Sequence, residues 1–205
     1  MDEIGLFPLG VVLLPTERIP LHIFEPRYRQ LIGECLTGGQ EFGLVLGDDD
    51  AMQTVGTFAR VTEVLNRFDD GRLDVVVAGG RRFEIAERTE GRSYQTALVE
   101  SYDDEADPAP ADDIARAVGL YSRLVELTGS DADAPDAAAP ALSFELAARF
   151  EFVPSLKQEL LEARSERRRL ARLCEMLELA TEVVERQHEI ALLASTNGHA
   201  KPGGP

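Results

Sequence analysis

The chain has little of what metal and nucleophile chemistry usually draws on. Its 205 residues hold two cysteines (Cys35, Cys174), three histidines (His22, His188, His199) and two lysines (Lys157, Lys201). The cysteines stand far apart among apolar neighbours and neither has a Cys-x-x-Cys partner. They read as buried free thiols, not as a disulfide framework or half of a zinc site. The histidines fall on a strand, a helix and the tail, without metal-ligand spacing. A Ser–Lys catalytic pair needs the amine within reach of the hydroxyl; Ser155 and Lys157 are neighbours on a helix that point in different directions, and Lys201 lies in the tail. No GxxxxGK[ST] phosphate loop is present, and Gly79-Gly80 sits in a hairpin pattern, not between a strand and a helix. Asp48 to Asp50 lacks the spaced ligands and terminal glutamate of a calcium loop. No catalytic residue, metal or cofactor is therefore expected.

Two further shortages bear on location and partners. No apolar run approaches the ~20 residues needed to cross a bilayer. The start, Asp2-Glu3, lacks the basic residues and apolar stretch of a secretory signal, which makes the cytoplasm the simplest location. Basic residues are outnumbered 21 to 37, for a formal charge of -16. That excess opposes nucleic acid as the main partner, because phosphate binding needs a concentrated positive surface. It also keeps a chain soluble.

What is present divides by period. Ile4 to Leu14 is apolar and broken by Pro8 and Gly10, as in an edge strand with a bend. "PLHIF" is a brief extended piece, and Glu25-Pro26 starts a helix carrying Tyr28, Leu31, Ile32 and Cys35 on one face, ended by Gly38-Gly39. Strands follow at Glu41–Gly47 and over "VGTFARVTEVLNRF", with Asp70-Gly71 as a hairpin turn into Leu73–Ala78. Gly79-Gly80 breaks that run at a tight bend, "RRFEIAERTEG" alternates cleanly, and Tyr94–Tyr102 closes the sheet. About six short strands with one early helix favour a small closed or nearly closed barrel, because closure protects edges.

Residues 103–113 are acidic and rich in Pro and Ala, a linker or flexible loop. Beyond them the period is helical: Ile114 to Val125 ending near Gly129, a loop over 130–140, then Leu142, Leu146 and Phe150 before Pro154. Ser155 with Gln158 has the form of a capping box, and Ser165 caps or kinks a last helix reaching about Leu193. The expected organisation is a barrel over 1–104, a helical bundle over 105–194 and a disordered tail over 195–205, an α+β fold.

Several residues have both a structural and a binding reading. His22 can hydrogen-bond a turn, sit beside Glu25, or touch a ligand. Glu25 and Arg27 suit a helix start and a turn clamp better than an acid–base pair. Of Arg81 and Arg82, one must point outward. Arg164, Arg168 and Arg172 recur at fourfold spacing, flanked by Arg167 and Arg169. They form either a solvated face laced with weak helix pairs or a patch that meets an acidic protein surface.

The stretches "LFPLGVVLLPTERIPLHIFEPRYRQLIGECL", "FGLVL", "VGTFARVTEVLNRFDDGRLDVVVAGGRRFEI", "YQTALVESYDD" and "SLKQELLEARSERRRLARLCEMLE" resemble, in order and spacing, the amino-terminal substrate-binding domain of Lon proteases in a stand-alone form. The resemblance implies a β pseudo-barrel similar to PUA-type RNA-binding barrels, then a helical bundle, and a role in engaging unfolded substrates. It reaches neither the ATPase module nor the Ser–Lys protease domain of those enzymes, so proteolysis and ATP-driven unfolding are not expected of this chain. The expected function is non-enzymatic binding of exposed peptide segments, or of a dedicated protein partner, in a groove between barrel and helices. Phe24, Tyr28, Phe58 and Phe83 are candidate contacts, and Arg164, Arg168 and Arg172 would steer acidic partners. The alternatives are an RNA-binding module and a small hydrolase built on an unrecognised carboxylate pair.

Overall fold

A computed structural model describes the backbone of residues 1–197 and side-chain surroundings through residue 191. Six strands form one mixed sheet: β1 (Asp2–Leu9), β2 (Arg18–Ile23), β3 (Phe42–Leu46), β4 (Val55–Arg67), β5 (Leu73–Thr89) and β6 (Thr96–Ser101). Its order is β2-β5-β4-β3-β1-β6, and β5 also pairs with β6. Five strands therefore close into a ring and β2 lies outside it. The length of β5 makes this possible: Leu73–Ala78 pairs with β2, and Phe83–Thr89 pairs with β6. Register shifts along β4–β5 at Thr57/Ala59, Val61/Glu63 and Val64/Asn66 coil the ribbon, as bulges do.

Three strand expectations change. β1 is not an edge: it runs parallel to β3 (Leu6↔Gly43) and antiparallel to β6 (Gly5↔Thr96). The edge is β2, which accommodates Pro20. Gly79-Gly80 does not break β5. A Cβ at Gly79 would stand 2.1 Å from the Leu14 carbonyl oxygen, so this glycine lets the Gly10–Glu17 loop lie directly on the strand. That loop is the third correction, since β1 stops at Leu9 and Val12, Leu13 and Leu14 are buried without being in a strand. Side chains stand in for the missing ladder: Leu14 N–H donates to Glu17 Oε2 (2.9 Å), and Thr57 Oγ1 donates to Leu13 O (2.6 Å).

Helix α1 (Pro26–Gly38) starts on its proline and ends where Gly39 adopts φ 63°. Its Tyr28, Leu31, Ile32 and Cys35 pack against the barrel, with Tyr28 stacked on Phe7 at 4.0 Å. Inside the ring, Leu6, Val45, Phe58, Phe83, Ala97 and Val99 form a compact cluster. Gly56 makes room for the Phe83 ring, which would lie 2.6 Å from a Cβ there.

Four helices follow: α2 (Ala111–Thr128), α3 (Leu142–Ala147), α4 (Pro154–Glu162) and α5 (Glu166–Asn197). α3 ends before Phe150. α5 passes the expected stop at Leu193, and the rest of the expected tail, from residue 198, lies outside the described residues. The Ser155–Gln158 capping box does not form: α4 begins at Pro154, and Gln158 Nε2 instead donates to Val55 O in the barrel at 3.1 Å. Ser165 does cap α5, accepting from Arg168 N–H at 3.1 Å. The helical core takes Val12, Leu14 and Val55 from the barrel side, so the Gly10–Glu17 loop is a wedge shared by both layers. Lys157 of α4 pins it through an ion pair with Glu17. No helix among the described residues is long and apolar enough to cross a membrane.

Candidate functional site: an apolar cleft between two parallel helices

α2 and α5 run side by side in the same direction. Arg116 pairs with Glu178 (2.7 Å) and, seven residues further along both helices, Arg123 pairs with Glu185 (2.9 Å). A common offset on both rungs requires parallel axes, and seven residues is two helical turns. Ala117, Tyr121 and Leu124 of α2 meet Leu173, Cys174 and Leu177 of α5 in the helical core. Toward the end of α2 the filling runs out. A cleft of about 540 Å³ opens there, walled by Tyr121, Leu124, Val125, Phe150, Ala180 and Val184.

One end of the cleft is polar. Tyr121 Oη donates to Asp133 O (3.0 Å), and Arg149 Nη1 donates to Tyr121 Oη (2.9 Å) and to the same carbonyl. The Arg149 guanidinium lies 5.2 Å from the Tyr121 ring centroid. The arrangement is an apolar trough with one fixed cationic corner. Such a trough binds by burying apolar side chains, with the polar corner giving orientation.

A second hollow, about 310 Å³, lies at the mouth of the barrel and is far more polar. Tyr94 Oη donates to Glu34 Oε2 (2.6 Å), Arg92 Nη1 donates to the same oxygen (2.8 Å), and the Arg81 guanidinium sits 4.2 Å from the Phe58 centroid. Burial, then the Glu34 contact, pushes Tyr94 up to about 12. The Tyr94 hydrogen bond leads the interactions that hold Glu34 below the usual carboxylate range. Glu34, Arg92 and Tyr94 satisfy one another. Among the described residues, no group of three or more His, Cys, Asp or Glu side chains is placed to hold a metal ion.

The residues singled out from sequence do not converge on one groove. Phe24 is 59% exposed at the end of β2, beside His22. Tyr28 is buried under α1, and Phe58 and Phe83 meet edge-to-face at 5.0 Å inside the ring. His22 pairs with Asp74 (2.6 Å), not with Glu25; Arg27 is the residue that bridges Glu25 and Asp49. Arg164 precedes α5 and donates to Asp103 O, and Arg172 is held by Glu159 and Glu175. Arg164 and Arg168 share only a small hollow beside Tyr102. The barrel and the helices also meet around two buried arginines. Buried Arg82 and Arg169 both reach Asp104, and Arg169 also reaches Glu166 and Ser143. The fourfold arginine spacing drew attention to Arg164, Arg168 and Arg172 and away from Arg169. The available signal was its place beside Leu170 on the apolar side of the helix.

Comparison with known proteins decides the family. The model of the ATP-dependent protease La (LON) substrate-binding domain matches residues 3–178. The chain belongs to this family. The Lon protease of Paraburkholderia phytofirmans is 27% identical over 207 residues, covering 92% of this chain and 26% of that protein. The Lon protease of Flavobacterium johnsoniae is 30% identical over 112 residues, covering 50% of this chain and 14% of that protein. The chain thus spans about a quarter or less of the Lon proteases it matches. The Lon N-terminal domain protein from Xanthomonas campestris superimposes with TM-score 0.68 at 26% identity, covering 84% of this chain and 97% of that one. The N-terminal domain of the Mycobacterium avium complex Lon protease shares the fold, with TM-score 0.65 at 17% identity, covering 86% of this chain and 98% of that one. The Lon-family match takes in the barrel, α2 to α4 and the first part of α5. Ala180 and Val184, the α5 wall of the cleft, lie beyond it.

Proposed function

We propose that this Lon substrate-binding-domain protein is a non-catalytic module that captures exposed apolar segments of polypeptide in the cleft between α2 and α5. The observation that carries the reading is the chemistry of the cleft walls, mostly tyrosine, leucine, valine, phenylalanine and alanine, with Thr128, Ser130, Asp133 and Arg149 as the remaining residues, in a chain whose family is defined by substrate binding. One fully buried leucine or phenylalanine contributes ~1.5–3 kcal/mol. Losing translational and rotational freedom costs at least about 4 kcal/mol, so two or more anchors are needed and binding is readily reversed.

The test is fluorescence anisotropy of labelled peptides from unfolded proteins, titrated at two salt concentrations with single-stranded RNA in parallel. The expected result is saturable peptide binding that persists at high salt and falls about tenfold in Val184→Asp, a loss of ~1.4 kcal/mol. Salt-sensitive RNA binding without peptide binding would overturn the reading and favour a nucleic-acid module.

A further inference from the structure

We infer that α5 carries a second, outward-facing docking seam for a partner helix with basic flanks. The helix has two apolar faces. Leu170, Leu173 and Leu177 are taken up by the helical core, and partly buried Val184 packs against it at the cleft wall. Leu179, Val183 and Ile190 are not: they are 63%, 56% and 60% exposed. The spacing from Leu179 to Val183 is four residues and from Val183 to Ile190 seven. That places Leu179 at a d position and Val183 and Ile190 at a positions of a heptad, with Arg186 at the d position between the last two. Leu179 and Val183 adjoin on this face, and Ile190 continues it two turns further on, beyond exposed Arg186. The face also continues past the folded body, because residues 186–191 are all exposed.

Charge identifies the occupant. Along one edge of the seam run Glu175, Glu182 and Glu189, again seven apart, at the flanking position that selects partners in paired helices. Glu175 is held by Arg172. Glu182 and Glu189 form no ion pair among the described residues. The opposite edge, Ala180 and Gln187, carries no charge. An antiparallel second copy would set this glutamate row against itself, and a parallel one would oppose it to Ala180 and Gln187. Two chains of net charge -16 would also repel. The complementary occupant is an amphipathic helix of another protein, with an apolar stripe and Lys or Arg opposite Glu182 and Glu189. Apart from Ala180 on its uncharged edge, which also lines the cleft, this surface uses none of the cleft walls.

Three synthetic helical peptides test the assignment by isothermal titration, with sedimentation velocity on the chain alone. The first has leucine at the a and d positions and lysine at the flanks. The second replaces lysine with glutamate, and the third keeps lysine but replaces leucine with serine. The first is expected to bind saturably, and the other two at least about tenfold more weakly. Leu179→Glu with Val183→Glu should weaken the first peptide by about tenfold or more, whereas Phe150→Ser, a cleft substitution, should leave its affinity unchanged. Glu182→Lys with Glu189→Lys should shift preference to the glutamate peptide. Equal binding of the first and third peptides would reduce the effect to bulk charge and overturn the proposal. So would failure of all three to bind, or a dimer that Leu179→Glu with Val183→Glu dissociates.

Discussion

Arg169 Nη1 and Nη2 donate to the two carboxylate oxygens of Asp104, both at 2.6 Å. The remaining donors of this fully buried side chain reach Ser143 Oγ, Ala163 O and Glu166 Oε2, so all five guanidinium hydrogens have acceptors. Arg82 of β5 meets the same Asp104 and donates to Leu161 O (2.6 Å) and Ala163 O (2.8 Å). One carboxylate therefore ties the barrel to α4 and α5. Replacing Asp104 with Asn leaves buried Arg82 without a carboxylate partner and Arg169 with Glu166 alone. Removing one partner of a buried pair costs about 3–5 kcal/mol, and that loss is expected in the urea unfolding free energy of Asp104→Asn. An unchanged midpoint would mean that water replaces the carboxylate freely.

The same carboxylate gives a pH signature. Burial by itself raises the Asp104 pKa, but the hydrogen bonds and charges of Arg169 and Arg82 outweigh it, and the net shift is downward. Asp107 is also lowered, first by the Ser165 hydroxyl and then by Arg167. A carboxylate depressed in the folded state contributes stability that is fully present above its unfolded value, about 3.9, and is lost as pH falls through the lower folded value. Thermal unfolding should therefore show falling stability below about pH 4, with a shallower slope in Asp104→Asn. A variant slope equal to the parent's would assign the acid sensitivity elsewhere.

The barrel was legible because period-2 alternation, the Asp70-Gly71 turn and the Pro26-to-Gly39 helix boundaries are local signals. Burial at Tyr28, Ile32 and Cys35 follows directly from their helical spacing. The cleft was not legible. Tyr121, Leu124 and Val184 read as ordinary core stripes, and whether a stripe is fully covered depends on where the neighbouring helix ends. Arg169 was hidden for a related reason. A buried arginine is tolerable only with its acceptors, and Ser143 and Asp104 come from distant parts of the chain. Val11 to Leu14 read as strand in the sequence because apolar residues look alike whether a β ladder or the side chains of Glu17 and Thr57 satisfy their backbone.

Both thiols are chemically quiet in the folded chain. Burial, with a smaller contribution from Glu34, pushes Cys35 up to about 11, and burial also raises Cys174. The thiolate is the reactive form, so neither cysteine is expected to react with an aromatic disulfide reagent at pH 8 in native buffer. Both should react once the chain is unfolded in guanidinium. Rapid modification of either in the native protein would show that its helix opens locally.

The candidate aromatic contacts should separate by their effect on stability. Phe83 is fully buried against Phe58, over the space that Gly56 leaves open. Truncating such a side chain removes its transfer free energy and leaves a cavity that the closed ring cannot collapse. Phe83→Ala is therefore expected to cost about 3–5 kcal/mol in chemical denaturation. Phe24 is mostly exposed, with the His22 ring centroid 6.0 Å away. Phe24→Ser should stay within about 0.5 kcal/mol of the parent. If Phe24→Ser lowers peptide affinity at unchanged stability, the end of β2 joins the binding surface. If affinity is also unchanged, binding belongs to the helical side of the molecule, where the cleft and the α5 seam lie.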